Sequence, residues 1–170
     1  MKHFIVIDMQ NDFCTGALAN KDAVAIIPRI KKELQKARAE GSNIIFTRDT
    51  HSENYLETGE GKHLPVKHCL QNTKGWFIVD ELLDDYDENT LFIDKPHFGY
   101  NHWEELIKEG DEVTICGTVT SICVISNALA IKAIEGVEVT VIADCCAGLT
   151  KEDHEAALKV MECCQCNIRR

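Results

Sequence analysis

Short apolar runs alternate with longer segments of helical periodicity along most of the chain. Runs rich in Ile and Val predict buried β-strands, whereas apolar residues repeating every three to four positions predict helices that pack on a sheet. Strands are predicted at His3–Ile7, Asn43–Thr47, Thr90–Asp94, Glu112–Cys116, Glu138–Ala143 and Cys166–Arg169. Helices are predicted near Asp22–Glu40, Asn101–Glu109, Ser121–Glu135 and Lys151–Glu162. This alternation predicts an α/β fold, a doubly wound (Rossmann-like) six-stranded, mainly parallel sheet with helices on both faces.

The stretch from His51 to Asp80 breaks this rhythm. It is long, it shows neither helical nor strand periodicity, and it carries three of the seven histidines. A long irregular segment inside a compact domain is either a functional loop or a sign that its elements have been wrongly assigned, and the histidines favour function. We therefore expect a functional loop here.

Composition adds limits on the class of protein. A chain of 170 residues, 45% of them hydrophobic, predicts one domain over residues 1–170. The formal net charge of −10 argues against binding to nucleic acid, and neither a membrane span nor a signal peptide is apparent. Nine cysteines, an odd number with adjacent pairs, indicate reduced thiols, so we expect a cytoplasmic protein. The cluster Cys163-Cys164-Gln165-Cys166 lacks a second half that would complete a metal site.

Three residues with reactive side chains follow three of the predicted strands. Asp8 ends the first run, Lys95 follows the third, and Cys123 lies just past the fourth, where a helix begins. Parallel strands end at one edge of a sheet, so these residues should meet there. A thiol in the first turn of a helix is favoured as thiolate, which makes Cys123 a candidate nucleophile. Each residue also has a structural alternative: a helix cap, a solvated lysine and a small core residue.

Asp49 and His51 follow the second strand at the same predicted edge. Alternate residues of an extended segment point the same way, so the two side chains could act together. With His68 they form a carboxylate and imidazole set that suits zinc, manganese or iron. The alternative is that Asp49 caps the next segment and both histidines are polar loop residues.

Four separated motifs together resemble the isochorismatase-like cysteine hydrolases, and among them the nicotinamidase-like branch. They are Val6-Ile7-Asp8-Met9-Gln10-Asn11-Asp12-Phe13, then Asp49-Thr50-His51 with His68, then Lys95-Pro96, and finally Cys116-Gly117-Thr118-Val119-Thr120-Ser121-Ile122-Cys123-Val124. The resemblance runs along nearly the whole chain. It implies a small-molecule amide as substrate, and we expect a homo-oligomer that binds neither nucleic acid nor membrane.

The resemblance also implies roles for single residues. Asp8, Lys95 and Cys123 would be the catalytic triad, and the backbone N–H groups of Val119 and Cys123 would form the oxyanion hole, next to a cis Thr118–Val119 peptide. Phe13 would lie against the substrate ring, with Tyr100 as a second wall.

The implied cofactor is one divalent metal ion, with zinc expected and manganese or iron as alternatives. Asp49, His51 and His68 match family ligands, and the fourth ligand would be Glu60 or else His63. In nicotinamidases such an ion takes the pyridine nitrogen of the substrate.

This chain departs from the common nicotinamidase form in three places. His97-Phe98-Gly99-Tyr100 follows Lys95-Pro96, Ser121 stands where many relatives have Asp, and Pro65-Val66-Lys67 precedes His68 without an aromatic residue. The alternatives are a metal-free cysteine hydrolase of another amide or carbamoyl compound, an isochorismatase acting on an enol ether, and a non-catalytic redox or assembly module.

Overall fold

A computed structural model describes residues 1–84 and 86–170. The strands are β1 (Lys2–Ile7), β2 (Asn43–Asp49), β3 (Leu91–Lys95), β4 (Glu112–Thr118), β5 (Glu138–Ala147) and β6 (Asn167–Arg169). They form one sheet in the order β3-β2-β1-β4-β5-β6, and every neighbouring pair is parallel. The predicted doubly wound α/β sheet is therefore confirmed, with all of its described strands parallel rather than most of them.

Helices cover both faces of this sheet. They are α1 (Asn11–Cys14), α2 (Lys21–Ala39), α3 (Gly59–His63), α4 (Trp103–Leu106), α5 (Ile125–Lys132) and α6 (Lys151–Cys163). Helix α2 packs across β2, β4 and β5, while α5 and α6 pack against each other and against β5 and β6. None of the helices described here is long and apolar enough to cross a membrane.

Three predicted elements differ from the structure. The helix predicted at Asn101–Glu109 is the single turn α4, because the backbone becomes extended at Ile107 and turns at once into β4. The helix predicted at Ser121–Glu135 begins as a π-helical turn at Thr120–Val124, in which the Val124 N–H donates to the Val119 carbonyl. Strand β5 continues beyond the predicted end at Ala143, since its pairing with β4 shifts register and then resumes.

The irregular stretch after His51 consists of short elements instead of one extended loop. It contains α3 and 3₁₀ turns at Tyr55–Glu57 and Lys74–Trp76. Isolated bridges pair His51 with Leu70 and Gln10 with Ile78, so both ends of the stretch are tied to the edge where β1 and β2 end. This arrangement returns His68 to the neighbourhood of His51.

The carboxyl ends of β1 and β4 approach each other closely at Gly117. Its φ is +123°, and a Cβ atom there would lie 2.1 Å from the Ile7 carbonyl oxygen. Only glycine combines this backbone conformation with this proximity. Gly117 therefore brings the segment that carries Cys123 next to Asp8.

Candidate active site

A buried ion pair joins the ends of β1 and β3. Lys95 Nζ donates to Asp8 Oδ2 at 2.6 Å, and both side chains are fully buried. The Thr47 hydroxyl donates to the other carboxylate oxygen, Asp8 Oδ1, at 2.6 Å. Lys95 also donates to the His97 carbonyl at 3.2 Å. Both oxygens of Asp8 are therefore held in fixed positions beside the Cys123 thiol.

Burial controls the protonation of these groups. Burial raises the pKa of Asp8, with Lys95 opposing the effect. Burial alone would lower the pKa of Lys95, but the nearby Asp8 and Cys123 outweigh it and raise that pKa. Asp8 is thus a stronger base than an ordinary aspartate, held next to a permanent positive charge.

The surroundings of Cys123 favour the thiol over the thiolate, which opposes the effect expected from a helix N-terminus. Burial raises its pKa well above the usual value, and the charge of Asp8 adds to that effect more than Lys95 subtracts. A hydrogen bond links the thiol to Asp8. The proton therefore has a short path from sulfur to carboxylate.

The turn that carries Cys123 is anchored from several sides. The Thr118–Val119 peptide before it is cis, as the resemblance implies. Fully buried Asn127 donates to the Cys123 carbonyl at 2.7 Å and to the Phe98 carbonyl at 3.0 Å. Its side-chain oxygen accepts from Tyr100 N and Trp103 Nε1. One side chain thus links the nucleophile turn to the segment after β3.

Four polar side chains gather beside this triad: Asp49, His51, Glu60 and His68. One ligand atom from each lies within 4.8 Å of the others. Asp49 Oδ2 lies 2.9 Å from His51 Nε2 and 3.3 Å from His68 Nε2. Glu60 Oε1 is 3.6 Å from each of the same two ring nitrogens. This grouping of two imidazoles and two carboxylates is the kind of set that zinc, manganese and iron bind.

The surroundings of this cluster fit a metal ion. His68 Nδ1 lies 2.8 Å from the Val66 carbonyl, which assigns a proton to Nδ1 and makes Nε2 the ring atom that faces the cluster. Asp49 Oδ1 is buried and has no hydrogen-bond partner. Gln10 holds the Asp49 backbone from both sides, donating to its carbonyl at 2.9 Å and accepting from its N–H at 2.7 Å. An unpartnered buried carboxylate oxygen is costly unless something positive occupies the site.

The structure separates the two candidates for the fourth ligand. Glu60 lies within the cluster, whereas His63 is exposed at the end of α3, with Nδ1 2.8 Å from the Gly59 carbonyl. Both are on α3, Glu60 in its first turn and His63 at its last residue, and of the two only Glu60 reaches the cluster.

A cavity of about 340 Å³ opens onto both groups of residues. Its wall includes Cys123, Val119, Asp49, Glu60, His68 and Phe13. The Phe13 ring centroid lies 5.7 Å from that of His68. Tyr100, expected as a second wall, packs instead against Trp103 with ring centroids 5.2 Å apart, and Phe98 lines the cavity in its place. The hydrogen bond from Tyr100 N to Asn127 turns the segment in this direction.

Sequence reasoning gave no role to several residues that position the site. Gln10 orients Asp49, Asp12 accepts from the Cys69 N–H at 2.7 Å beside His68, and Asn127 anchors the nucleophile turn. Gln10 and Asp12 lie within the first quoted motif, and Asn127 interrupts an apolar helical run. A polar residue inside an otherwise apolar pattern was the signal that could have identified these positioning residues, because buried polar groups need hydrogen-bond partners.

Comparison with known proteins identifies the family to which this chain belongs. The chain matches the isochorismatase domain family over residues 2–169. Pyrococcus horikoshii pyrazinamidase, solved in complex with zinc, is 32% identical, with a TM-score of 0.83 over 99% of this chain and 98% of that one. The Saccharomyces cerevisiae nicotinamidase is 28% identical, over 95% of this chain and 94% of the relative. An Arabidopsis thaliana protein named "Probable inactive nicotinamidase" is 29% identical, over 93% and 86%. The chain belongs to the isochorismatase family, in its nicotinamidase-like branch.

Proposed function

We propose that this chain is a nicotinamidase, which hydrolyses nicotinamide to nicotinate and ammonia through a thioester on Cys123. The observation that carries the proposal is one cavity whose wall contains the buried Cys123 together with three of the four residues of a cluster suited to a divalent metal. An aromatic amide with a ring nitrogen has a carbonyl group for the nucleophile and a nitrogen atom for the metal. Nicotinamide has both groups on a single ring.

The first half-reaction uses the triad. Asp8 accepts the proton of the Cys123 thiol while the sulfur attacks the amide carbon, and Lys95 keeps the charge of Asp8 compensated before the transfer. The backbone N–H groups of Val119 and Cys123 are proposed to hold the oxyanion. Asp8 then gives the proton to the departing nitrogen, so that ammonia leaves and a thioester remains.

The second half-reaction returns the enzyme to its starting state. Asp8 takes a proton from a water molecule, whose oxygen attacks the thioester carbon. The acid leaves when the carbon–sulfur bond breaks, and the proton on Asp8 returns to the Cys123 sulfur. One amide and one water are consumed, and one acid and one ammonia are formed.

Asp49, His51, Glu60 and His68 are the residues that would hold the proposed ion, with zinc expected and manganese or iron as alternatives. When bound, the ion would supply a Lewis-acid position for the ring nitrogen of the substrate. Phe13 is proposed to pack against the ring that this contact orients.

Metal content should separate the cluster from the triad. His51→Ala should release the metal, because it removes a ligand from a buried set, whereas Asp8→Asn should keep the metal and lose activity. His63→Ala is the matched control, since it removes an exposed histidine of the same segment that lies outside the cluster. Metal per chain can be measured by elemental analysis after dialysis. Full occupancy in His51→Ala, or loss in Asp8→Asn, would mean that the ligands are wrongly assigned.

Substrate selectivity tests the proposed function directly. Metal-loaded protein should release ammonia from nicotinamide at least about 100-fold faster than from benzamide, which keeps the ring and the amide but lacks the ring nitrogen. A chelator should remove most of that difference. Pyrazinamide, which keeps a nitrogen in the same position, should also be cleaved. Equal rates for nicotinamide and benzamide would point to a metal-free cysteine amidohydrolase instead.

The wider setting follows from this reaction. Nicotinate is a precursor of pyridine nucleotides, so we place the enzyme in NAD salvage, acting on a small-molecule amide as a single domain. A cytoplasmic location and a homo-oligomeric assembly remain predictions. Sedimentation of the purified protein would measure the assembly.

A further inference from the structure

The cavity at the site is larger than one aromatic amide needs. Its volume is about 340 Å³. For comparison, an engineered cavity of about 150 Å³ holds a benzene molecule. Nicotinamide adds only a carboxamide group to a ring of that size. Part of the cavity would therefore remain unfilled by nicotinamide.

Apart from Cys123 and the metal cluster, most of the residues that line the cavity are apolar. Leu18, Leu64, Phe98 and Leu149 line it. Leu149 is 61% exposed, Phe98 45% and Leu64 38%, so their side chains face the opening instead of the core. Large apolar side chains grouped at the mouth of a cavity mark a surface that gains free energy when something apolar covers it.

This rim is held in place by half-buried hydrogen bonds. The Tyr55 hydroxyl donates to the Leu64 carbonyl at 2.9 Å, and Asn127 Nδ2 donates to the Phe98 carbonyl at 3.0 Å. Asn20 Nδ2 donates at 2.9 Å to the carbonyl of Gly148, the residue before Leu149. Three separate segments are thus fixed around the opening, so the rim is formed before any ligand binds.

We propose that this rim, formed by Leu18, Leu64, Phe98 and Leu149, binds an apolar substituent on the substrate, and that the enzyme prefers alkyl-substituted pyridine carboxamides to nicotinamide. The inference rests on the proposed function, because it assumes the same nucleophile and the same ring orientation. The substituent belongs on carbon 5 of the ring, which is adjacent to neither the ring nitrogen nor the amide-bearing carbon. A group there leaves both reacting ends of the substrate free.

A matched pair of ligands tests the chemistry of the rim. 5-Propylnicotinamide and 5-(2-hydroxyethyl)nicotinamide have substituents of the same heavy-atom count and differ in one terminal methyl or hydroxyl group. We expect kcat/KM for the propyl compound to exceed that for nicotinamide and for the hydroxyethyl compound by about tenfold or more. Calorimetry with the Cys123→Ala protein should show the same order of affinity without turnover.

Variants locate the effect. Leu149→Ser should lower the ratio of kcat/KM for the propyl compound over nicotinamide by about fivefold. Val160→Ser is the control, because Val160 is a similarly exposed apolar residue on α6, and the ratio should not change. If Leu149→Ser leaves the ratio unchanged but shifts the sedimentation coefficient, the rim is a contact between copies of this chain and the inference is wrong. Cleavage of nicotinamide with equal or poorer cleavage of the propyl compound refutes the inference alone. Failure to cleave any of the three amides refutes the proposed function as well.

Discussion

Cys123→Ala should lower kcat for ammonia release from nicotinamide by about 10⁴-fold or more, while the fold remains intact. The sulfur is the atom that would form the covalent intermediate, so the substitution removes the attacking group. The side chain is small, so its truncation leaves little empty space in the core. Activity can be followed by ammonia release, and folding by circular dichroism and thermal unfolding.

The control for this variant is Cys116→Ala. Cys116 is also a buried cysteine of the same motif, but it lies within β4, and burial raises the pKa of its thiol. Its replacement should change stability slightly and kcat within about twofold. Comparable activity in Cys123→Ala would refute the thioester mechanism. Lack of ammonia release from the parent protein as well would instead favour a non-catalytic role.

The strand ends explain why much of the site could be predicted from sequence. Asp8, Asp49 and Lys95 each follow a short apolar run, and parallel strands place such residues on one edge of the sheet. In the structure, Asp49 at the end of β2 lies opposite Lys95 at the end of the adjacent parallel strand β3. Local pattern and topology together were sufficient for these three positions.

The walls of the cavity could not be predicted in the same way. Phe98 and Tyr100 both follow Lys95 in a segment without secondary structure, and nothing in their spacing tells which one faces the cavity. The answer depends on Asn127, a residue of α5 that binds Phe98 O and Tyr100 N. Glu60 and His63 present the same difficulty on α3. In each pair, a distant hydrogen bond or the orientation of a helix determines which residue reaches the site. The sequence pattern contains neither of these.

The buried ion pair should give the largest stability effect. Lys95→Met should lower the free energy of unfolding by about 3–5 kcal/mol near neutral pH, because it leaves the Asp8 carboxylate buried without its positive partner. The double variant Asp8→Asn/Lys95→Met should recover much of this loss, since neither charge then remains. Lys159→Met, which removes an exposed lysine paired with Glu162 at 2.8 Å, should have almost no effect. Urea unfolding can measure all three proteins.

The loss in Lys95→Met should also depend on pH, in a direction set by Asp8. Burial already raises the pKa of Asp8 above its ordinary value of 3.8. In Lys95→Met the positive charge of the lysine no longer opposes that shift. The folded protein then binds the Asp8 proton more tightly than the unfolded chain does, so stability falls as pH rises from the unfolded pKa to the folded one. We therefore expect the difference between Lys95→Met and the parent protein to shrink as pH is lowered toward 4 and to grow toward neutral pH. A pH-independent difference would mean that Asp8 does not carry the charge that Lys95 compensates.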